Sequence, residues 1–179
     1  MRLATSRNSG ELEGQVAVWE LASGHLRRAF SLTRVEALVF SPDGRSLLAS
    51  GRLGSITRCQ LDSGAMESGD PVQTGNALSL ALSPVGDRLA AGGYDAGIRL
   101  LDASLQPLPL PKLLGHTAEL TALSFASNGR LLASGSLDTT VRIWDLQSTR
   151  ARTNRLERVG AAPRFAPNSG DRKSTRLNS

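Results

Sequence analysis

His116, Ser134 and Asp138 fall within one short stretch of this chain, and their types are those of a hydrolase triad. A nucleophilic serine needs a histidine to take its proton, and the histidine needs a carboxylate to orient it. Trp144 follows a few residues on and adds a second possibility. An indole N–H needs an acceptor once buried, and so does every other polar atom of the set. The four side chains could therefore form an internal chain of hydrogen bonds instead of a reacting centre. Neither a Gly-x-Ser-x-Gly elbow nor an oxyanion-hole signal accompanies the trio, and a motif without its context is a weak warrant for catalysis. There is no phosphate loop and no Cys/His pair at metal-ligand spacing, so no cofactor and no metal are expected.

The elements that would position these residues are short and regular. From Lys112 to Leu146 the sequence reads KLLGHTAELTALSFASNGRLLASGSLDTTVRIWDL. Leu120, Leu123 and Phe125 mark one strand, ended by the Ser127-Asn128-Gly129 turn. Leu131 to Ser134 form a second strand, Leu137-Asp138-Thr139 a tight turn, and Val141 to Trp144 a third strand. A unit that opens on Gly115-His116 and closes on Trp144-Asp145 resembles the WD-repeat (beta-transducin-like) family of β-propellers, whose period is about 40–45 residues. In that family the His, Ser, Asp and Trp form a buried structural chain. The resemblance thus implies a structural tetrad of His116, Ser134, Asp138 and Trp144, with no catalytic residue.

The pattern recurs. The Trp position falls at Trp19, Cys59, Leu101 and Trp144, and the end of the first strand at Phe40, Leu82, Phe125 and Phe165. Val35, Leu38 and Phe40 repeat as Ala77, Leu80 and Leu82, then as Leu120, Leu123 and Phe125. A first strand of this kind would line a central channel, with neighbouring blades packing face to face. Other copies of the tetrad are degenerate. The second unit has Ser31, Ser50, Leu53 and Cys59 at its positions; the third has Gln73, Ala91, Asp95 and Leu101. The fold expected is all-β: an open arc of four-stranded antiparallel blades, about three full blades with partial ones at both ends. The repeats run over about 1–24, 25–63, 64–104 and 105–148, with the start of another at 149–170.

Within that frame residues 2–8 match 130–136 as a blade's second strand, and Gln15 to Glu20 is the third. His25 sits in the place of a solvated turn. Ser41-Pro42-Asp43-Gly44 is a turn in which proline presets φ and glycine accepts a positive one. The proline-rich QPLPLPKLL, with Pro107, Pro109 and Pro111, could be a polyproline ligand. It falls where the repeat needs an outermost strand, and proline is tolerated on a sheet edge, so a strand is expected there. Arg150, Arg152, Arg155 and Arg158 form a basic cluster that suits edge protection better than phosphate binding.

The chain has 179 residues, one cysteine and a formal net charge of +5. The last residues, Asp171 to Ser179 (DRKSTRLNS), back-translate to a string that resembles a sequencing-library adapter read in frame, so 171–179 is set aside as a non-native tail. Residues 1–170 then carry 18 basic and 15 acidic groups, a net of +3. Lys112 is the only lysine among them, and that bias toward arginine fits a GC-rich genome at least as well as it fits nucleic-acid binding. The lone Cys59 excludes an internal disulfide and suits a reducing compartment, read here as the cytoplasm. No apolar run approaches the ~18 residues of a membrane span.

The resemblance implies a protein–protein interaction scaffold whose partners are proteins or peptides, bound on the face that bears the loops before the first strand and the turns after the second. Carried over by position, the exposed candidates are Arg34, Arg52, Asn76, Tyr94, Glu119 and Leu137. An alternative, since the turns and linker resemble bacterial propellers, is a sensory or regulatory region of a larger bacterial kinase, NTPase or protease. Nucleic-acid binding through the arginines is a third reading.

Overall fold

The computed structural model describes residues 1–9, 13–32, 34–51, 54–69, 77–147 and 154–155. Every regular element among them is a strand, and no helix among them is long and apolar enough to cross a membrane. Four antiparallel sheets follow one another along the chain. The first holds β1 (Arg2–Ser9), β2 (Glu13–Glu20) and β3 (His25–Leu32). The second holds β4 (Val35–Phe40), β5 (Ser46–Gly51), β6 (Ile56–Gln60) and β7 (Met66–Ser68). The third holds β8 (Ala77–Leu82), β9 (Arg88–Gly93) and β10 (Ile98–Asp102). The fourth holds β11 (Leu120–Phe125), β12 (Leu131–Ser136), β13 (Val141–Asp145) and β14 (Asn154–Arg155).

Each sheet is one blade, and the cores lie between blades. Successive side chains of a strand point to opposite faces, so a strand buried throughout, such as β5, presents both faces to a core, and each face finds a different neighbour. Leu47, Ala49 and Cys59 pack with Val16, Val18 and Phe30 of the first blade, while Leu48 and Ile56 pack with Leu80, Leu89 and Leu101 of the third. The third seam joins Ala90, Ile98 and Leu100 to Leu120, Leu132 and Trp144. The blades approach closely at this seam, where a Cβ on Gly92 would lie 3.0 Å from a Leu120 methyl and 3.2 Å from the Leu120 Cβ.

The recurring step of three residues, Val35 to Leu38, Ala77 to Leu80 and Leu120 to Leu123, has a physical cause. A bulge falls between Val35 and Ala37, between Ala77 and Ser79, and between Leu120 and Ala122. The extra residue keeps the apolar side chains on one face across an odd step. That face packs on the preceding blade: Val35, Leu38 and Phe40 join the core shared with the first sheet. The three turns after these strands are alike. Gly44, Gly86 and Gly129 all have φ between 64 and 75° and donate back to Ser41, Ser83 and Ala126.

Three expectations need correction. The proline-rich segment is not a strand: it touches β10 only through bridges Leu101↔Pro107 and Ile98↔Leu113, so the third sheet has three strands, not four. Prolines 107, 109 and 111 have no N–H to give the ladder, and the chain between the bridges departs from it. His25 is the first residue of β3, exposed but paired with Glu20. Ser50 is not at the tetrad's serine position, as the register below shows. Arg52, Leu53, Gln73 and Asn76 lie outside the described residues. So do 156–179, with Arg158 and the tail, and 148–153, with Arg150 and Arg152.

Candidate functional site

His116 lies in the loop before β11, Ser134 in the middle of β12, Asp138 in the turn that follows, and Trp144 near the end of β13. Pairing brings them together, since Leu132 stands opposite Trp144 and Ser134 is two residues further along β12. Trp144 Nε1 donates to Ser134 Oγ at 2.8 Å. Ser134 Oγ is also 2.8 Å from His116 Nε2, and His116 Nδ1 is 2.8 Å from Asp138 Oδ2. An ionised Asp138 accepts from Nδ1–H, which leaves neutral Nε2 to accept from the serine hydroxyl. The donors then run in one direction, Trp to Ser to His to Asp.

Asp138 is held ionised by its turn. Burial is the largest single influence and opposes its charge, but the Thr140 hydroxyl, the Thr117 N–H, His116 and the Thr140 N–H outweigh it together, and the carboxyl titrates well below the usual range. Those bonds measure 2.6 Å from the Thr140 hydroxyl, 3.0 Å from Thr117 N and 2.9 Å from Thr140 N. Thr139, at φ 67°, bends the backbone so that the Thr140 N–H can reach the carboxylate, while the Thr117 N–H comes from the loop before β11. The His116 and Trp144 rings meet edge-on, 6.3 Å between centroids at 61°.

The Ser–His–Asp part of this chain has the polarity of a triad, but its serine is closed. Ser134 is 1% exposed, and its oxygen already accepts the indole N–H. A nucleophile must be reached by a carbonyl carbon with oxyanion donors beside it. At this position the neighbouring space is filled by Trp144, Leu132 and Ala90. The neighbouring Asp145 faces outward and takes Arg130 in a two-pronged ion pair, 2.6 and 3.0 Å, at the end of the blade. Among the described residues no three His, Cys, Asp or Glu side chains converge as a metal site would require.

The other blades keep parts of the arrangement. In the second sheet Leu47 stands opposite Cys59, which puts Ala49 where Ser134 would be. Ser50 points to the other face and donates to Ala77 O at 2.7 Å. In the third, Asp95 caps the same turn through Gly97 N, with Ala96 at φ 58°, but its carboxylate takes Lys112 in place of a histidine. In the first, Leu3 stands opposite Trp19, so Thr5 holds the serine position, and Trp19 Nε1 donates to its hydroxyl at 3.4 Å. The match of 2–8 with 130–136 is one residue out of step with this register and misses Thr5.

Four of the six candidate partner residues are described. Arg34 precedes β4, is exposed, and bonds Glu36 at 2.9 Å. Tyr94 and Leu137, in the turns after β9 and β12, are 51% and 61% exposed. Glu119, half-buried, precedes β11, and its carbonyl accepts the Leu137 N–H at 3.0 Å. Of the basic side chains, Arg27, Arg34, Arg88 and Arg130 are each paired with a carboxylate.

Residues 108–145 match the family described as WD domain, G-beta repeat. The chain is 27% identical over 144 residues to WD repeat-containing protein SL1-17 of Schistosoma mansoni, covering 79% of this chain and 47% of that protein. It is 29% identical over 143 residues to the U3 small nucleolar RNA-associated protein 21 homolog of Schizosaccharomyces pombe, covering 76% and 16%. The chain thus spans less than half the length of either relative. A chain in the solved structure called "Crystal Structure of Mitotic Checkpoint Complex" superposes with a TM-score of 0.69 at 26% identity, over 78% of this chain and 43% of that one. The relatives named here are eukaryotic and lend no support to the bacterial origin expected from the sequence.

Proposed function

We propose that this arc of WD-repeat blades is a protein–protein interaction scaffold that performs no reaction, and that it binds a protein or peptide on its loop face. The single observation that carries this reading is a separation of polar roles. His116, Ser134 and Asp138 spend their hydrogen-bonding capacity on one another inside the blade. Meanwhile Tyr94 and Leu137, in equivalent turns of neighbouring blades, stay more than half exposed. Tyrosine is among the residue types enriched at interface hot spots, and Leu137 adds exposed apolar area on the same face. The tetrad's role in this reading is to hold the Leu137 turn against the loop of Glu119. The arc takes no cofactor, and the cytoplasm is the compartment proposed for it.

The test is selection of binders from a random peptide library, followed by affinity measurement with variants. The Tyr94→Ala/Leu137→Ala double variant should weaken the selected peptides at least about tenfold, or 1.4 kcal/mol. Val85→Ala, at an 80% exposed position in a turn at the other end of the blade, should leave them unchanged. Loss of binding with Val85→Ala and not with the double variant would overturn the reading.

A further inference from the structure

Val18, Arg58, Leu100 and Ile143 precede the Trp position in the four blades, and only the second of them is charged. Val18 and Leu100 are buried in the first and third seams. Arg58 stands opposite Leu48 on the face that meets the third blade. A guanidinium cannot be sealed into an apolar seam there without a partner for its charge.

Beside Arg58 the second seam opens into a cleft of about 350 Å³, the size of a small ligand pocket. Leu48, 1% exposed, and half-buried Leu82 form its apolar floor, and Arg45, Asp43 and Gln60 lie around it. The cleft is between the second and third blades, at the end opposite Tyr94 and Leu137. Every residue that lines it is described, and so are that residue's neighbours in sequence.

The charges of the cleft do not cancel. Among the described residues Arg58 meets no carboxylate, and its one bond runs from Nη2 to Ala103 O across the seam. A guanidinium has five N–H donors, and a neutral carbonyl takes one of them while leaving the charge unpaired. Arg45 is exposed, and its side chain has no ion pair among the described residues. Asp43 is engaged by its own turn, accepting the Ser41 hydroxyl at 2.6 Å and the Arg45 N–H at 2.9 Å. Two guanidinium groups thus line the cleft against one carboxylate.

We propose that this cleft is a second docking site, for a peptide segment of a partner protein that carries an acidic residue close to a bulky apolar one. The carboxylate pairs with Arg58 in the two-pronged geometry a guanidinium offers, and Arg45 stands at the rim. The apolar side chain covers Leu48 and Leu82 and keeps water from the pair, the setting in which an arginine contributes most to an interface. The site is separate from the loop face, so one arc can hold two partners, one at each end of its blades.

The test uses the full chain, with and without the Tyr94→Ala/Leu137→Ala change that disables the loop face. Its probes are short capped peptides holding one leucine and one glutamate at varied spacing. Matched controls carry glutamine for the glutamate or alanine for the leucine. By fluorescence anisotropy, some spacings should bind at least about tenfold more tightly than either control, and equally well to both chains. Arg58→Leu gives this position the aliphatic side chain of the other blades, and Arg58→Met removes the charge while keeping an unbranched stem. Each should abolish the preference and keep the wild-type far-UV spectrum; should one fail to fold, the other decides. Glutamate peptides that never exceed their glutamine controls, or a preference that survives loss of the Arg58 charge, would overturn the proposal. Equal binding of the alanine controls would overturn it as well, since the cleft would then be a general anion site. Binding seen only when Tyr94 and Leu137 are intact would do the same, while leaving the loop-face reading in place.

Discussion

Trp19 Nε1 donates to Thr5 Oγ1 across 3.4 Å, from the place in the first blade where Trp144 donates to Ser134 across 2.8 Å in the fourth. The register is the same, but the surroundings differ. The Thr5 pair is open to water, and the Ser134 pair is sealed by the third blade. An exposed hydrogen bond exchanges with water at little net gain, whereas a buried one cannot be removed without orphaning its partners. Thr5→Val should therefore move stability by no more than about 0.5 kcal/mol, in the range of ordinary surface substitutions. Chemical denaturation of this variant beside Ser134→Ala measures the difference directly.

Trp144→Ala should be the most damaging change in the tetrad, at about 3–5 kcal/mol, because it empties the centre of the third seam. Asp138→Ala strands His116 and two backbone N–H groups, and should cost about 1–3 kcal/mol. Sequence reasoning ranks Ser134→Ala as the mildest, since a methyl replaces a small hydroxyl. The geometry alters that expectation: Ser134 Oγ is shared by Trp144 Nε1 and His116 Nε2, so its loss leaves both unsatisfied. A cost comparable to Asp138→Ala follows, about 1–3 kcal/mol. Thermal melts give the order, and an esterase assay on the wild type should read zero; a catalytic serine would show activity that Ser134→Ala abolishes while leaving the melt unmoved.

The depressed Asp138 carboxyl ties stability to acidity. Its folded-state value lies below the unfolded reference of 3.8. Its stabilising contribution is therefore fully present above that reference and is lost as pH falls through the lower folded value. Asp138→Asn removes the titration. The stability gap between wild type and Asp138→Asn should be constant from neutral pH to about 5 and shrink progressively below about 4. A gap that widens on acidification would contradict the ionised, hydrogen-bonded carboxylate.

Cys59 sits at the Trp position of the second blade, fully buried between the first and second sheets. Burial pushes its thiol up to about 11. The thiolate is the reactive form, so the folded protein at pH 8 should be silent to a thiol reagent and react stoichiometrically once denatured. Prompt labelling of the folded chain would mean that the seam opens readily.

Much of this architecture is written in the local pattern. Alternation of apolar residues fixes strands, and Pro-Asp-Gly and Asn-Gly fix turns that need a positive φ. Repeat spacing then fixes the blades, because each property depends on residues close in sequence. The steps Val35 to Leu38, Ala77 to Leu80 and Leu120 to Leu123 even contain the bulge, legible as an odd interval where a flat strand would show an even one. The tetrad was legible for the same reason, its four residue types being held at intervals set by one blade.

What tertiary structure decided is which face each side chain takes and whether that face is covered. A shift of one residue in pairing sends a side chain to the opposite face. The ten-residue interval from Ser134 to Trp144, counted back from Cys59, falls on Ala49, so placing Ser50 in the tetrad was a miscount along the sequence. Thr5 stands fourteen residues before Trp19 because the connection there is longer, and only the hydrogen-bond register identifies it. The proline-rich segment occupies the place of an outer strand without being one, since a ladder needs the N–H groups that its prolines lack. Burial of Ser134 and the closure of each seam depend on neighbouring blades far away in sequence, and no local pattern encodes the presence of a neighbour.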